Sequence, residues 1–168
     1  MVITINTEHP KGLEGTISLQ RPLDEGFETA STKAIGQSLI MQGEVTQLKG
    51  AFRSNPAPIK NGVAFETHLE AHTNLGSIIP STDKLKVKGV KSLVLYIASN
   101  STYYTTDPSS KNAEQLNSIK GIGIKAIETA HVNDHQSLFN RTVLIIKNID
   151  EYSHLPTDQR LEQIKNKQ

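Results

Sequence analysis

Apolar and polar residues alternate with a period of two in several stretches of the first hundred residues, and this spacing is typical of β-strands with one buried face. Val63 to His72 alternates most regularly, and the interleaved lysines of residues 84–88 indicate a second two-faced strand. Leu93 to Ala98 is continuously apolar, which favours a central strand covered on both faces. Weaker patterns predict strands at Ile3 to Asn6, Gly15 to Gln20 and Ser38 to Val45, and the prolines and Asn-Gly of residues 53–62 predict a loop.

After Tyr104 the pattern changes to a helical period. Asp107 followed by Pro108 is a favourable helix start, because the carboxylate accepts from free backbone N–H groups and proline presets the first helical φ. We predict a first helix to about residue 120 and a second from Ile124 to Asn140, separated by two glycines. A short apolar run at 143–147 predicts a strand that returns to the sheet, and residues 156–167 predict a polar terminal helix.

Length and composition describe one ordinary globular domain. The chain has 168 residues, of which 36% are hydrophobic and 21% charged, and its net charge of +1 argues against a nucleic-acid partner. The chain has no cysteine, so disulfides and thiolate chemistry are excluded. The first residues lack the basic and apolar regions of a signal peptide, and no stretch approaches the length of a membrane helix. No membrane partner is therefore expected.

His131 and His135 lie one helical turn apart, with Asp134 beside them. Imidazoles at this spacing point the same way and can share a metal ion, but Val132 stands where zinc proteases carry their general-base glutamate. A third ligand is not evident nearby, and the apolar stripe of Ile124 to Leu138 places the pair partly on a packed face. We expect a packing role for the pair, and neither a metal nor another cofactor.

Two other patches carry candidate chemistry. One face of the Val63 to His72 strand presents carboxyl and imidazole groups in alternation: Glu66, His68, Glu70 and His72. This face suits either a metal site or, more commonly, a solvated sheet surface. Tyr103 and Tyr104 follow a strand and precede a helix, where aromatic rings either stack on a sugar or close the edge of the core. The many acidic residues show no spacing that nominates a catalytic pair.

Four segments, in this order and at these separations, resemble glycoside hydrolase family 95, the α-L-fucosidase family: NGVAFETHLEAH, STDKLKVKGVKSLVLYIASNSTYYTTDPSSK, HVNDHQSLFNRTVLII and LPTDQRL. The resemblance extends from about Val2 to Leu161. It implies that residues 1–105 form the later part of an N-terminal antiparallel β-sandwich. Residues 106–168 would then form a helical linker segment with one returning strand at 142–147. In that family the linker leads into a catalytic (α/α)6 barrel.

The resemblance also limits which roles transfer to this chain. The family's opening segment would precede Met1 and its barrel would follow Gln168, and the barrel holds the catalytic carboxylate and asparagines. No catalytic residue is carried over, so we expect the chain to be inactive alone. His135 stands where the family usually has an aromatic residue, commonly tyrosine, which favours the packing interpretation of the histidine pair.

The leading hypothesis is a non-catalytic sandwich and linker portion of a fucosidase-like enzyme. Its partners would be the catalytic barrel and fucosylated glycans, and the resemblance implies that the parent enzyme is secreted or periplasmic. One alternative is a free-standing module that binds carbohydrate through Tyr103, Tyr104 or the Glu66 to His72 face. Another is a small hydrolase that uses its own acids or a histidine-bound metal. Strand edges left uncovered by the missing segments predict self-association, most simply as a homodimer.

Overall fold

The computed structural model of the chain describes residues 1–23, 28–47, 59–143 and 154–165. Contacts divide the chain into two compact units, Met1–Gly121 and Ile122–Gln168. The first unit contains eight described strands and one helix: β1 (Val2–Asn6), β2 (Leu13–Ser18), β3 (Ala30–Ile35), β4 (Ser38–Gln47), β5 (Ile59–Thr73), β6 (Ser77–Ser81), β7 (Lys84–Val90), β8 (Ser92–Ser101) and α1 (Pro108–Ser118). The second unit contains α2 (Ile124–Phe139) and α3 (Thr157–Lys165).

The described strands form two antiparallel sheets. One has five strands in the order β1-β8-β5-β4-β3, and the other has three in the order β2-β7-β6. The two sheets pack against each other through one apolar face each. The prediction of a mainly β chain, with an antiparallel sandwich followed by helices, is confirmed.

The core of the sandwich consists of the apolar residues that the alternation placed on one face. Leu69 in β5 lies between Leu39 of β4 and Ile97 of β8, and Leu85 of β7 faces them from the other sheet. Leu39 and Leu85 are fully buried. Each such side chain contributes about 1.5–3 kcal/mol when it is removed from water. Burial of this face therefore sets the register of the central strands.

Gly12 and Gly76 pack closely against Gly89 of β7 in the three-stranded sheet. A Cβ atom at Gly12 would lie 2.5 Å from the carbonyl carbon of Gly89, and one at Gly76 would lie 2.6 Å from the same atom. All three residues have positive φ angles, which glycine adopts without steric cost. The backbones meet this closely because no side chain separates them.

Helix α1 starts where the sequence predicts and packs on the outer face of the five-stranded sheet, against β5 and β8. The Asp107 side chain accepts hydrogen bonds from the backbone N–H groups of Ser109 and Ser110, and Pro108 occupies the first turn. The helix buries Asn112 and Leu116. Although the resemblance assigned this segment to the linker, α1 belongs to the first compact unit.

Strands β3 and β6 were missed by the sequence analysis. Strand β3, with the sequence ASTKAI, has small or polar residues at five of its six positions, and it forms a hairpin with β4 through the two-residue turn at Gly36 and Gln37. Strand β6 contains Pro80, which is tolerated because β6 lies at the edge of its sheet.

The loop predicted at 53–62 is wrong at its end, because residues 59–62 belong to β5, while residues 53–58 lie outside the described part of the chain. The predicted strand at 142–147 also lies mostly outside it, and the two described residues, Thr142 and Val143, are not in a strand. Among the described helices, none has the length and apolar character needed to cross a membrane.

Candidate functional site

The outer face of β5 carries Glu66, His68, Glu70 and His72, as the alternation predicted, but α1 covers one end of it. Glu66 is only 3% exposed, so the expectation of a solvated face is wrong at this position. One carboxyl oxygen of Glu66 accepts from the Gln42 side-chain amide at 2.7 Å, and the other accepts from the Asn112 amide at 3.2 Å. Both oxygens therefore have partners inside the protein.

Asn112 connects α1 to two strands of the sheet. Its amide nitrogen also donates to the backbone carbonyl of Glu66 at 3.0 Å, and its side-chain oxygen accepts from Asn100 at 2.7 Å. Asn100 donates in addition to Gln115 of the same helix at 2.8 Å. No buried side-chain polar atom in the described residues lacks a hydrogen-bond partner. This satisfied network gives Glu66 a structural role in holding α1 in place.

A groove of about 210 Å³ lies near the C-terminal end of α1, between the helix and the sheet. It is lined by apolar and polar residues: Val94, Leu116, Ile119, Gly121, Glu70, His72, Tyr96 and Lys120. The position follows from the register, because Glu70 pairs with Tyr96 and His72 pairs with Val94 across β5 and β8. The groove thus combines an apolar wall with several convergent polar groups, and its volume is below the roughly 300–1,000 Å³ of typical ligand pockets.

The polar groups of the groove interact with one another. One oxygen of Glu70 lies 3.3 Å from Nε2 of His72, and the other lies 3.6 Å from Nζ of Lys120. The His72 ring packs edge-to-face on Tyr96, with centroids 5.3 Å apart. His72 and Lys120 are about half exposed, so both side chains are accessible to solvent. This arrangement can donate hydrogen bonds to a hydroxylated or anionic ligand.

Tyr103 and Tyr104 lie in the turn between β8 and α1, and both side chains are largely exposed. Their rings are perpendicular, with an interplanar angle of 80° and centroids 4.8 Å apart. Because they are exposed, they do not close the edge of the core. Neither tyrosine lines the groove, which lies by the other end of α1.

His131 and His135 lie on α2 with ring centroids 6.4 Å apart, and His135 stacks on Phe139 at 5.3 Å. The packed face predicted for this helix is wrong, because none of its residues is buried. An apolar stripe on a helix is buried only when another element packs against it. The spacing of apolar residues within the helix does not show whether such an element is present. The expectation that the pair binds no metal stays a prediction; in the described part of the chain, no three potential ligands are grouped for an ion.

The network and groove residues that come from outside β5 were not predicted from the sequence. Tyr96 is a polar-tipped residue within the apolar run of β8, which was a usable signal. Asn112 and Lys120 gave no such signal, because a polar residue in a helix is ordinarily exposed.

A comparison with protein-family models gives no match for this chain, and a comparison with curated proteins gives none either. The resemblance to glycoside hydrolase family 95 is carried by the four sequence segments alone and stays a prediction.

Proposed function

We propose that this chain is the sandwich and linker portion of a glycoside hydrolase resembling the α-L-fucosidases of family 95, and that it supports a catalytic barrel. The observation that carries the proposal is the exposure of α2, a 16-residue helix without a buried residue. Its apolar side chains include the exposed Leu138 and Phe139. A helix of this length is marginal in water without tertiary packing, so a covering domain would stabilise it.

The positions of the resembling segments within the fold support the same proposal. HVNDHQSLF forms the second half of α2, and LPTDQRL leads into α3. The strands that precede them form the antiparallel sandwich that the resemblance implies. Glu66, the most buried acid of the β5 face, holds α1 and has no free oxygen for substrate. These features fit a supporting role better than a catalytic one.

The proposal is tested by binding between this chain and a barrel domain. The barrel encoded in the flanking gene sequence would be expressed separately and mixed with the full chain, and association would be measured by sedimentation velocity. The double variant Leu138→Asp and Phe139→Asp is expected to weaken association at least about tenfold, because it places two charges in the apolar contact. Leu75→Asp, at an exposed position between β5 and β6, is the matched control and should bind normally. No complex, or equal affinity for both variants, would contradict the proposal.

A second candidate function is carbohydrate binding, favoured by the exposed tyrosine pair and by the polar groove. The perpendicular tyrosine rings offer one face for stacking on a sugar, and the groove, which lies by the other end of α1, is a separate position with donors for sugar hydroxyl groups. Titration with fucosylated oligosaccharides by calorimetry tests this function. Loss of binding in Tyr103→Ala with Tyr104→Ala assigns the ligand to the tyrosines, and loss in His72→Ala assigns it to the groove. No heat of binding at millimolar glycan would exclude the candidate.

A further inference from the structure

In the described part of the chain, the two sheets have four edge strands, and three of them carry a residue that discourages pairing with another chain. Strand β2 contains Glu14, β3 contains Lys33 and β6 contains Pro80. Charges and prolines on edge strands are common protection against intermolecular pairing. Strand β1, with the sequence VITIN, has neither a charge nor a proline.

Hydrogen bonds at the two ends of β1 establish which backbone groups face outward. The Met1 ammonium group donates to the carbonyl of Ile97, whose N–H donates back to Met1, and the N–H of Thr7 donates to Lys91. Odd-numbered residues therefore bond to β8, since bonded pairs alternate along an antiparallel ladder. The N–H and C=O groups of the even residues, at positions 2, 4 and 6, point away from the sheet. Among the described strands, none pairs with this side of β1.

Two copies of β1 can pair with each other in antiparallel orientation around Thr4. In an antiparallel pair of two copies with its two-fold axis at this residue, Thr4 lies opposite Thr4, and Val2 lies opposite Asn6. All of these positions carry outward-facing groups, so each pair can exchange two backbone hydrogen bonds. The same register places Ile3 opposite Ile5 of the second copy.

Ile3 and Ile5 provide the apolar contribution to this pairing. They are 38% and 40% exposed, and they pair with Leu95 and Leu93 of β8, which are buried in the core. The three-stranded sheet thus leaves part of the core face open at β1. A second copy would cover this surface with the same two side chains, and a two-fold dimer would leave no further β1 edge free.

We propose that β1 is a self-association edge, through which two copies of this chain join their five-stranded sheets into one continuous antiparallel sheet. A pairing of five residues is small compared with a stable interface of about 1,600 Å², so we expect dissociation in roughly the micromolar range.

Thr4→Pro tests the proposal because it removes an outward N–H and none of the hydrogen bonds to β8. Thr4→Val, which keeps the N–H, is the matched control. Sedimentation equilibrium from about 1 to 500 µM should show wild type and Thr4→Val approaching the dimer mass, with Thr4→Pro remaining monomeric at least about tenfold higher in concentration. A monomeric wild type at the upper concentration, or a Thr4→Pro variant that dimerises normally, would overturn the proposal.

A cysteine cross-link provides a second measurement that does not depend on tolerance of proline. The chain has no native cysteine, so Thr4→Cys would introduce a single thiol at the proposed two-fold axis. Directly opposed residues of a bonded pair have Cα atoms about 5.5 Å apart, which a disulfide can span. Thr4→Cys should therefore form covalent dimers at least about tenfold faster than Ser31→Cys on the β3 edge under mild oxidation. Equal rates for the two variants would contradict the proposed register.

Discussion

Asn112 joins α1 to the sheet through hydrogen bonds to Glu66 and Asn100, and it is fully buried. Replacing it with alanine would leave acceptors of Glu66 and a donor of Asn100 without their partner. We expect Asn112→Ala to lower the free energy of unfolding by about 2–4 kcal/mol, measured by urea denaturation. Asn117→Ala, at an exposed position of the same helix, should change it by less than about 0.5 kcal/mol. Similar losses in both variants would show that the network is not stabilising.

The Asp107 carboxylate at the start of α1 should make the stability of the folded protein depend on pH. Hydrogen bonds from the Ser110 side chain and backbone, and from the Ser109 backbone, hold the pKa of the Asp107 carboxyl below its ordinary value of 3.8. Because its pKa is lowered by folding, the carboxylate stabilises the folded state above the unfolded pKa. That contribution is lost as the pH falls through the folded pKa.

The corresponding measurement compares melting temperatures at several pH values. Asp107→Ala should melt below the wild type from about pH 5 upward, and the two curves should converge as the pH falls below about 4. Asp107→Asn keeps a side-chain acceptor that does not ionise, so the stabilisation by its helix cap should not change with pH in this range. A wild-type advantage over Asp107→Ala that stays constant down to about pH 2 would contradict the assignment.

At the scale of elements, α1 and α2 show that an apolar residue in a helix stabilises the protein only where it is covered. The Leu116 side chain of α1 lines the groove and is only 3% exposed, whereas the Leu138 side chain of α2 is 58% exposed. Leu116→Ala is expected to cost about 2–4 kcal/mol of unfolding free energy through lost burial and a cavity. Leu138→Ala should cost less than about 0.5 kcal/mol in the isolated chain, as urea denaturation of both variants would show. A large loss for Leu138→Ala alone would mean that α2 is covered in solution.

At the scale of the whole molecule, the chain is expected to release no fucose from fucosylated oligosaccharides. Glycoside hydrolysis requires two carboxyl groups that flank the scissile bond, and the resemblance places the catalytic carboxylate in the barrel. Within the sandwich, Glu66 is engaged by Gln42 and Asn112, and Glu70 lies beside His72 and Lys120. The assay is fucose release over an extended incubation. Activity that survives repurification and disappears in Glu70→Gln would refute this expectation and locate a site in the groove.

Local sequence patterns were enough to predict the strand alternation of β5 and β7, the apolar run of β8 and the start of α1 at Asp107 and Pro108. These features depend on neighbouring residues, because side-chain alternation and helix capping act over a few positions. Strands β3 and β6 show no clear apolar alternation, because the half-buried positions of β3 are Ala30, Thr32 and Ala34 and because β6 contains Pro80. The hypothesis of a fucosidase-like parent likewise comes from sequence alone.

Which of the patterned faces are covered depends on packing between elements that are distant in the sequence. Glu66 and His72 lie on the same face of one strand, yet α1 buries the first and leaves the second beside a groove. The residue that buries Glu66, Asn112, is 46 positions away along the chain. The apolar stripe of α2 had the pattern of a packed face and is exposed in the fold. Whether a face is buried depends on which distant element packs against it. A local pattern distinguishes the apolar face of a strand or helix from its polar face, but it does not identify the element that will cover either face.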